Sequence, residues 1–141
     1  MPAQLDICFS PWTAWESRAA IRGANQPGVY LLAHLPSIPR GSASPLEPRI
    51  VYIGETHRQT LLARWRAFAR SAKTGRFSHA GGRSYHARFK GLCPDLYVAA
   101  FAPDHERWTQ RCRTFLIRYV ESKLIWDFAT KYSKDKLCNR D

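Results

Sequence analysis

The sequence predicts an α+β fold in which two antiparallel strands, a helix, a third strand and a long helix follow one another. Three observations support this class. Short apolar runs at 28–34 and 49–54 are bounded by Pro or Gly, as buried strands often are. Apolar residues recur at helical spacing between 59 and 73, and a second helical pattern runs to about residue 131. The 141 residues show no internal repeat, so we expect one domain.

The first half of the chain is predicted to hold a helix and two strands. Ser10 fits an N-cap and Pro11 a first helical position, so we expect a helical extension over residues 1–27, closed by Gly23 and the "NQPG" turn. The strand "GVYLLAH" follows. The segment "LPSIPRGSASPLEP" contains four prolines and is expected to be an exposed connection to the strand "RIVYIG".

The second half is predicted to hold two helices and one strand. In the helix at 59–73 one arc is apolar, formed by Leu61, Leu62, Trp65, Phe68 and Ala69. The stretch "TGRFSHAGGRS" is expected to be a loop and "SYHARFKG" at most a short helical turn. "DLYVAAFA" is predicted to be the third strand, and the last helix is predicted to run from Pro103 and Asp104 to about Lys131.

The charge of the chain points to a polyanionic partner. Twenty-two Lys and Arg residues against eleven Asp and Glu give a formal net charge of +11 and a sequence pI near 10.0. Such an excess on one small domain favours nucleic acid. The alternative is a basic surface that serves solubility alone.

The cysteines and the hydropathy of the chain disfavour zinc-binding, secreted and membrane-spanning proteins. The four cysteines show neither a C-x-x-C pair nor regular spacing, which disfavours a zinc knuckle and is typical of free thiols in a reducing compartment. We expect no signal peptide and no membrane-spanning run, and therefore a soluble, cytoplasmic protein.

Glu121 breaks the apolar pattern of the last helix. Residues Ile117, Leu124, Ile125 and Phe128 span an arc of about 100°, with Glu121 in its middle. The other faces carry Leu116, Tyr119 and Val120, so the helix is predicted to be largely buried. A buried carboxylate costs several kcal/mol unless it is compensated, either by a structural Arg or Lys or by a bound cation. From the helix alone the structural partner is favoured.

Arg64 and two tyrosines complement this acid. Arg64 lies at the edge of the apolar arc of its helix, where the stem can cover the core while the guanidinium reaches a cleft. Tyr30 and Tyr52 lie in the first two strands. An acid that holds a metal, an arginine for a phosphate and a phenol for a proton make a set suited to phosphodiester chemistry. Tyrosines in strands are, however, usually packing residues.

Five short motifs in this order resemble the GIY-YIG nucleases. "GVY" at 28–30 resembles the first signature with valine for isoleucine, and "YIG" at 52–54 matches the second. "LLARW", "ESKLIWDF" and "LCN" resemble the segments that carry the arginine, glutamate and asparagine of the family. The similarity extends from Gly28 to Asn139, with Phe68 where some relatives have histidine; His57, His79 and His86 are expected to be exposed.

The resemblance implies a mechanism and a fold. The fold would be a small central antiparallel sheet of three strands flanked by helices, formed by residues 28–139. The activity would be a metal-dependent endonuclease that hydrolyses phosphodiester bonds in DNA with one Mg²⁺ or Mn²⁺ ion. Glu121 would be the only protein ligand of the ion, and Arg64 would bind the phosphate. Tyr30 would activate the water with Tyr52 hydrogen-bonded nearby, and Asn139 would orient the chain end or a phosphate.

The remaining basic residues are predicted to bind double-stranded or branched DNA, with RNA not excluded. A partner protein or a homodimer would extend the binding surface. Alternatives are a nucleic-acid-binding module without cleavage, and an interaction domain in which Glu121 and Arg64 form an internal ion pair. The predicted nucleic-acid contacts are Arg66, Arg70, Lys73, Arg76, His79, Arg83 and Arg88.

Overall fold

The computed structural model describes residues 6–139. Four strands, three α-helices and two 3₁₀-helices follow one another within this range. They are β1 (Thr13–Ala14), a 3₁₀-helix (Trp15–Ala20), β2 (Gly28–His34), β3 (Ile50–Thr56), α1 (Leu61–Thr74), α2 (Ala80–Phe89), β4 (Leu96–Phe101), α3 (Gln110–Lys131) and a 3₁₀-helix (Lys134–Lys136).

The strands form one antiparallel sheet in the order β1-β4-β2-β3. The predicted α+β class is therefore confirmed, but the expected three strands are four. Thr13 and Ala14 pair with Val98 and Tyr97 of β4 and form the additional edge strand.

The N-terminal helix predicted from Ser10 and Pro11 is wrong at its start. Ser10 does not cap a helix, because its hydroxyl accepts a hydrogen bond from the Ala100 amide at 3.0 Å and its own amide donates to the Ala100 carbonyl. The segment is thereby held along β4. Only Trp15–Ala20 is helical, as a 3₁₀-helix.

Helix α1 confirms the predicted helix, with Thr60 as its N-cap and Gly75 in left-handed conformation as its C-cap. Helix α2 was predicted as a loop and one turn, and that prediction is wrong. Its N-cap is His79, whose ring nitrogen Nδ1 accepts from the Gly82 amide at 3.0 Å. Histidine is not among the usual capping residues, so the sequence lacked the ordinary start signal.

Helix α3 begins at Gln110 rather than at Pro103, because the Thr109 hydroxyl accepts from the Cys112 amide and caps the helix there. The helix is also less buried than predicted. Its core-facing residues are Ile117, Val120, Leu124 and Phe128, whereas Phe115, Tyr119 and Trp126 are exposed.

The sheet separates two apolar clusters. Side chains of alternate residues point to opposite faces of a strand. Tyr30, Leu32 and Tyr52 accordingly pack with α1 and α2, whereas Val29, Leu31 and Ile53 pack with α3. No helix within residues 6–139 is long and apolar enough to cross a membrane.

Candidate active site

The "GVY" and "YIG" motifs meet because Tyr30 lies opposite Gly54 in the β2–β3 register. A Cβ atom at Gly54 would lie 2.5 Å from the Tyr52 ring and 2.7 Å from the Tyr30 hydroxyl. Only glycine leaves room there for both phenols, whose ring centroids are 5.8 Å apart. A Cβ atom at Gly81 of α2 would likewise lie too close to the Tyr52 ring. The two tyrosines are thus brought together, as predicted.

Both phenols are buried and neutral. Tyr30 is fully buried, and burial raises its pKa well above the usual value near 10, assisted by the neighbouring Tyr52. Burial likewise raises the pKa of Tyr52 to about 12. The positive charge of Arg64 acts in the opposite direction on both hydroxyls.

His79 is hydrogen-bonded to Tyr30, with 3.2 Å between Nε2 and the hydroxyl oxygen. Because Nδ1 accepts from Gly82, the proton of the neutral ring is on Nε2, which therefore donates to Tyr30. Burial, followed by the charge of Arg64, lowers the pKa of His79 to about 4, so the ring is neutral at pH 7. His79 was predicted as an exposed nucleic-acid contact. That is wrong, because its ring is fully buried.

Glu121 is half-buried at the edge of the core-facing side of α3. Burial and the negative charge of Glu55 raise its pKa to about 7, and the charges of Arg64 and Arg118 act against this. Within residues 6–139, its carboxylate makes neither a salt bridge nor a hydrogen bond. The salt bridges in this range are Glu47–Arg49, Glu55–His57 and Lys123–Asp127.

Arg64 is a second charged group that forms no salt bridge within residues 6–139. Its Nε is buried and makes no hydrogen bond within the described range. The internal ion pair between Glu121 and Arg64, considered from the sequence, does not form there. Arg64 lines a cleft of about 240 Å³ with residues at the end of β3 and in the following turn, namely Glu55, Thr56, His57, Arg58 and Gln59.

Asn139 lies along the outer edge of β3. Its side-chain amide donates to the Ile53 carbonyl at 2.5 Å and accepts from the Ile53 amide at 3.1 Å. The Cys138 amide also donates to the Val51 carbonyl. The chain end therefore covers the free edge of β3, which agrees with a role for Asn139 in orienting it.

The predicted nucleic-acid contacts on α1 and the α1–α2 turn are exposed, namely Arg66, Arg70, Lys73 and Arg76. The Arg70 guanidinium lies 4.1 Å from the centre of the exposed Phe77 ring. Arg83 is half-buried and donates to the Phe77 carbonyl. Arg88 donates to the carbonyls of Lys136 and Leu137 and thus also holds the chain end.

Two groups of residues near the site were missed from the sequence. Glu55 lies two positions after Ile53 on the same face of β3, so strand alternation was a signal that an acid lies on the α3 side. The bond between His79 and Tyr30 spans 49 positions and left no local signal. His57 is half-buried and lies 3.0 Å from Glu55, and His86 bonds to the Ala72 carbonyl. The expectation that all three histidines are exposed is wrong.

Two other features are separate from this site. A larger cleft of about 990 Å³ is lined by residues within 6–26 and 100–106, and it contains none of the predicted catalytic residues. His34, Cys93 and Asp95 place their ligand atoms within 4.8 Å of one another. Imidazole and thiolate favour zinc-like ions over Mg²⁺, and the His34 ring is already bonded to the Tyr85 hydroxyl.

Comparisons with protein-family models, with curated proteins and with solved structures gave no match to this chain.

Proposed function

We propose that this protein is a divalent-metal-dependent endonuclease that hydrolyses phosphodiester bonds in DNA, as its resemblance to the GIY-YIG nucleases implies. The supporting observation is that the charge of the partly buried Arg64 acts on the half-buried Glu121 carboxylate, although the two groups form no salt bridge and the Arg64 Nε is without a hydrogen bond. Groups of this kind are expensive to bury without compensation. A cation at the carboxylate and a phosphate at the guanidinium would compensate both.

The carboxylates fit Mg²⁺ or Mn²⁺. Both ions favour carboxylate oxygens, and Mg²⁺ keeps most of its water and needs few protein ligands. Glu121 would hold the ion, and the nearby Glu55 would add negative potential that attracts it. When bound, the ion would polarise the scissile phosphate and add positive charge beside the phenols.

Arg64 is the residue suited to the phosphate. A guanidinium matches two phosphate oxygens with its fork of N–H donors, and Arg64 has a buried donor without a partner. Its neighbour in the cleft, the exposed Arg58, adds positive charge at the entrance. Arg64 would thus position the phosphate and stabilise the negative charge that develops on it.

Tyr30 is the residue to which the resemblance assigns the activation of the attacking water. Its hydroxyl oxygen accepts from His79, and only the phenolate could take a proton from water. Burial opposes the phenolate and Arg64 favours it. The N–H that His79 donates to the Tyr30 oxygen would also favour the charged form. Tyr52 packs against Tyr30 and completes the enclosure.

The proposal is tested by incubating supercoiled plasmid and labelled duplex, branched and RNA oligonucleotides with the protein in Mg²⁺ or in EDTA. We expect cleavage of DNA in Mg²⁺ alone and its loss in Glu121→Gln. Asp127→Asn is the matched control, because it removes a carboxylate of the same helix that is bound to Lys123.

Binding without cleavage in Mg²⁺ or Mn²⁺ would refute the nuclease and favour a nucleic-acid-binding module. Cleavage that persists in folded Glu121→Gln would also refute the assignment of the site. Preference for RNA would keep the chemistry and correct the substrate.

A further inference from the structure

Three large aromatic side chains form an exposed stripe on α3, which we name the aromatic ridge: Phe115, Tyr119 and Trp126. They are 58%, 56% and 68% exposed, respectively. At about 100° per residue they fall within about 40° of one another, nearly opposite the core-facing side of the helix. Aromatic rings aligned in this way on an outer face are not used for the packing of the domain, and such surfaces mark interaction sites.

The surroundings of the aromatic ridge are positively charged. Arg111 lies 5.8 Å from the centre of the Phe115 ring, and the exposed Arg118 lies on the same side of the helix. The carboxylates of α3 are Glu121, which is in the candidate site, and Asp127, which is bound to Lys123. The outer side of α3 therefore presents aromatic rings and arginines to a binding partner, and it carries no free carboxylate.

We propose that the aromatic ridge binds single-stranded nucleic acid, with unpaired bases stacked on its rings and phosphates bound by Arg111 and Arg118. Exposed aromatic rings interleaved with basic residues are the arrangement by which proteins bind single strands, because every base has a face that can stack. A second copy of this chain is disfavoured as the occupant, since two ridges brought together would place the arginines of two chains of charge +11 side by side.

The ridge is continuous with the candidate site. Arg118 lies on the helix surface between Glu121 and the ridge, and its charge acts on the Glu121 carboxylate. A strand on the ridge would therefore lead its backbone along Arg118 toward Glu121. This inference rests on the proposed function for its substrate class, and it makes a junction of duplex and single strand the preferred target over continuous duplex.

The test measures binding in EDTA, so that it does not depend on cleavage. Fluorescence anisotropy is recorded with a labelled 20-nucleotide oligo(dT), with the same strand carrying abasic sites, and with a 20-bp duplex. The variants are Phe115→Leu, Tyr119→Leu and Trp126→Leu, singly and combined, which keep apolar area but remove the rings. Ile38→Ala is the control, because it removes another exposed apolar side chain outside the ridge.

We expect each ridge variant to bind oligo(dT) roughly tenfold more weakly, since each removed ring is one surface fewer on which a base can stack. Duplex binding should change less than twofold. On the strand that carries abasic sites, the ridge variants should bind as weakly as the wild type, because no base is there to stack on the rings. Equal losses on duplex and single strand, unchanged binding of oligo(dT), or a dimer of the wild type that the combined variant converts to monomer would each overturn the proposal. If the wild type shows this binding pattern but cleaves no DNA in Mg²⁺, the proposed nuclease function is refuted, whereas the binding of single strands by the aromatic ridge is not.

Discussion

On the α1–α2 face of the sheet, Tyr30 bonds to His79 and His79 accepts from the Gly82 amide, whereas on the α3 side Glu121 has no hydrogen-bonding partner within residues 6–139. The first group is fully buried, whereas Glu121 is half-buried and its carboxyl is influenced by the charges of Glu55 and Arg64, which line the smaller cleft. Burial raises the pKa values of both Tyr30 and Glu121.

The difference indicates that the two groups have different roles. Internal hydrogen bonds fix the phenol and the imidazole in one arrangement, which is what positioning of a reacting group requires. The Glu121 carboxylate and the buried Nε of Arg64, which form no internal salt bridge or hydrogen bond within residues 6–139, remain available to groups from outside. Each of the following substitutions alters one of these two groups and leaves the other intact.

Removal of Arg64 should have the largest effect. Arg64→Ala is expected to lower kcat by roughly 10²- to 10³-fold, because a donor to the developing phosphate charge is lost. Arg64→Lys should recover part of it, since a single ammonium lacks the fork of donors. Arg22→Ala, on an exposed residue outside the cleft, should leave kcat unchanged. Single-turnover cleavage in Mg²⁺ measures these rates, and equal effects at both arginines would contradict the role of Arg64.

A side chain at Gly54 should separate the phenols. Gly54→Ala places a Cβ within 2.7 Å of both rings, so we expect about 2 kcal/mol lower free energy of unfolding by urea denaturation. Gly41→Ala is the control, since it meets no atom within 4 Å and tests only the backbone cost at a φ of +76°. An unchanged stability of Gly54→Ala would show that the rings can move apart freely.

Loss of the His79 bond should have a smaller, pH-dependent effect. His79→Asn can still cap α2 through its side-chain oxygen but cannot reach Tyr30. We expect kcat to fall about tenfold and the rise of the pH–rate profile to move to higher pH, because the phenolate loses a donor. In the Tyr30→Phe background the same substitution should change nothing further. A full effect in that background would mean that His79 acts on the fold alone.

The charge of Glu121 should appear as a small slope of stability against pH. A carboxyl whose pKa is raised to about 7 binds its proton more tightly in the folded state, so it stabilises below about pH 4.5 and loses this stabilisation up to about pH 7. His79, with its pKa lowered to about 4, contributes the opposite slope between about 4 and 6.5.

Urea denaturation of metal-free protein should therefore show Glu121→Gln gaining about 1 kcal/mol relative to wild type between pH 4.5 and 8, a modest value because the carboxylate is partly exposed. Asp127→Asn should show no such gain. Parallel curves for wild type and Glu121→Gln would mean that the carboxylate is solvated as an ordinary surface acid.

The sequence predicted the contacts that follow from strand alternation and helical phase. The motifs placed Tyr30 and Tyr52 in the first two strands, which pair in the structure. The phase of α3 put Glu121 in the middle of a buried arc, and this is wrong in degree, because Glu121 is half-buried at the edge of that arc. The sequence did not predict the exposure of Tyr119 and Trp126, because a helix apolar all round gives periodicity no preferred face.

The contact of His79 depended on a helix whose capping residue is unusual and on a partner 49 positions away. Tertiary packing determines such a contact, and local propensity carries no record of it. The position of Glu55 could be predicted only in part. Strand alternation places it on the α3 side of the sheet, but alternation does not show that it lies near Glu121.

Binding of Mn²⁺ measured by electron paramagnetic resonance tests the central claim most directly, because free Mn²⁺ is counted without any need for cleavage. At pH 8 the wild-type chain and the Asp127→Asn variant should each bind one ion. Binding should fall sharply in the Glu121→Gln variant, which keeps Arg64. A cation site at Glu121 would be contradicted if the wild type and Glu121→Gln bound the same amount of Mn²⁺. It would also be contradicted if neither bound Mn²⁺ when DNA that has not been cleaved is present.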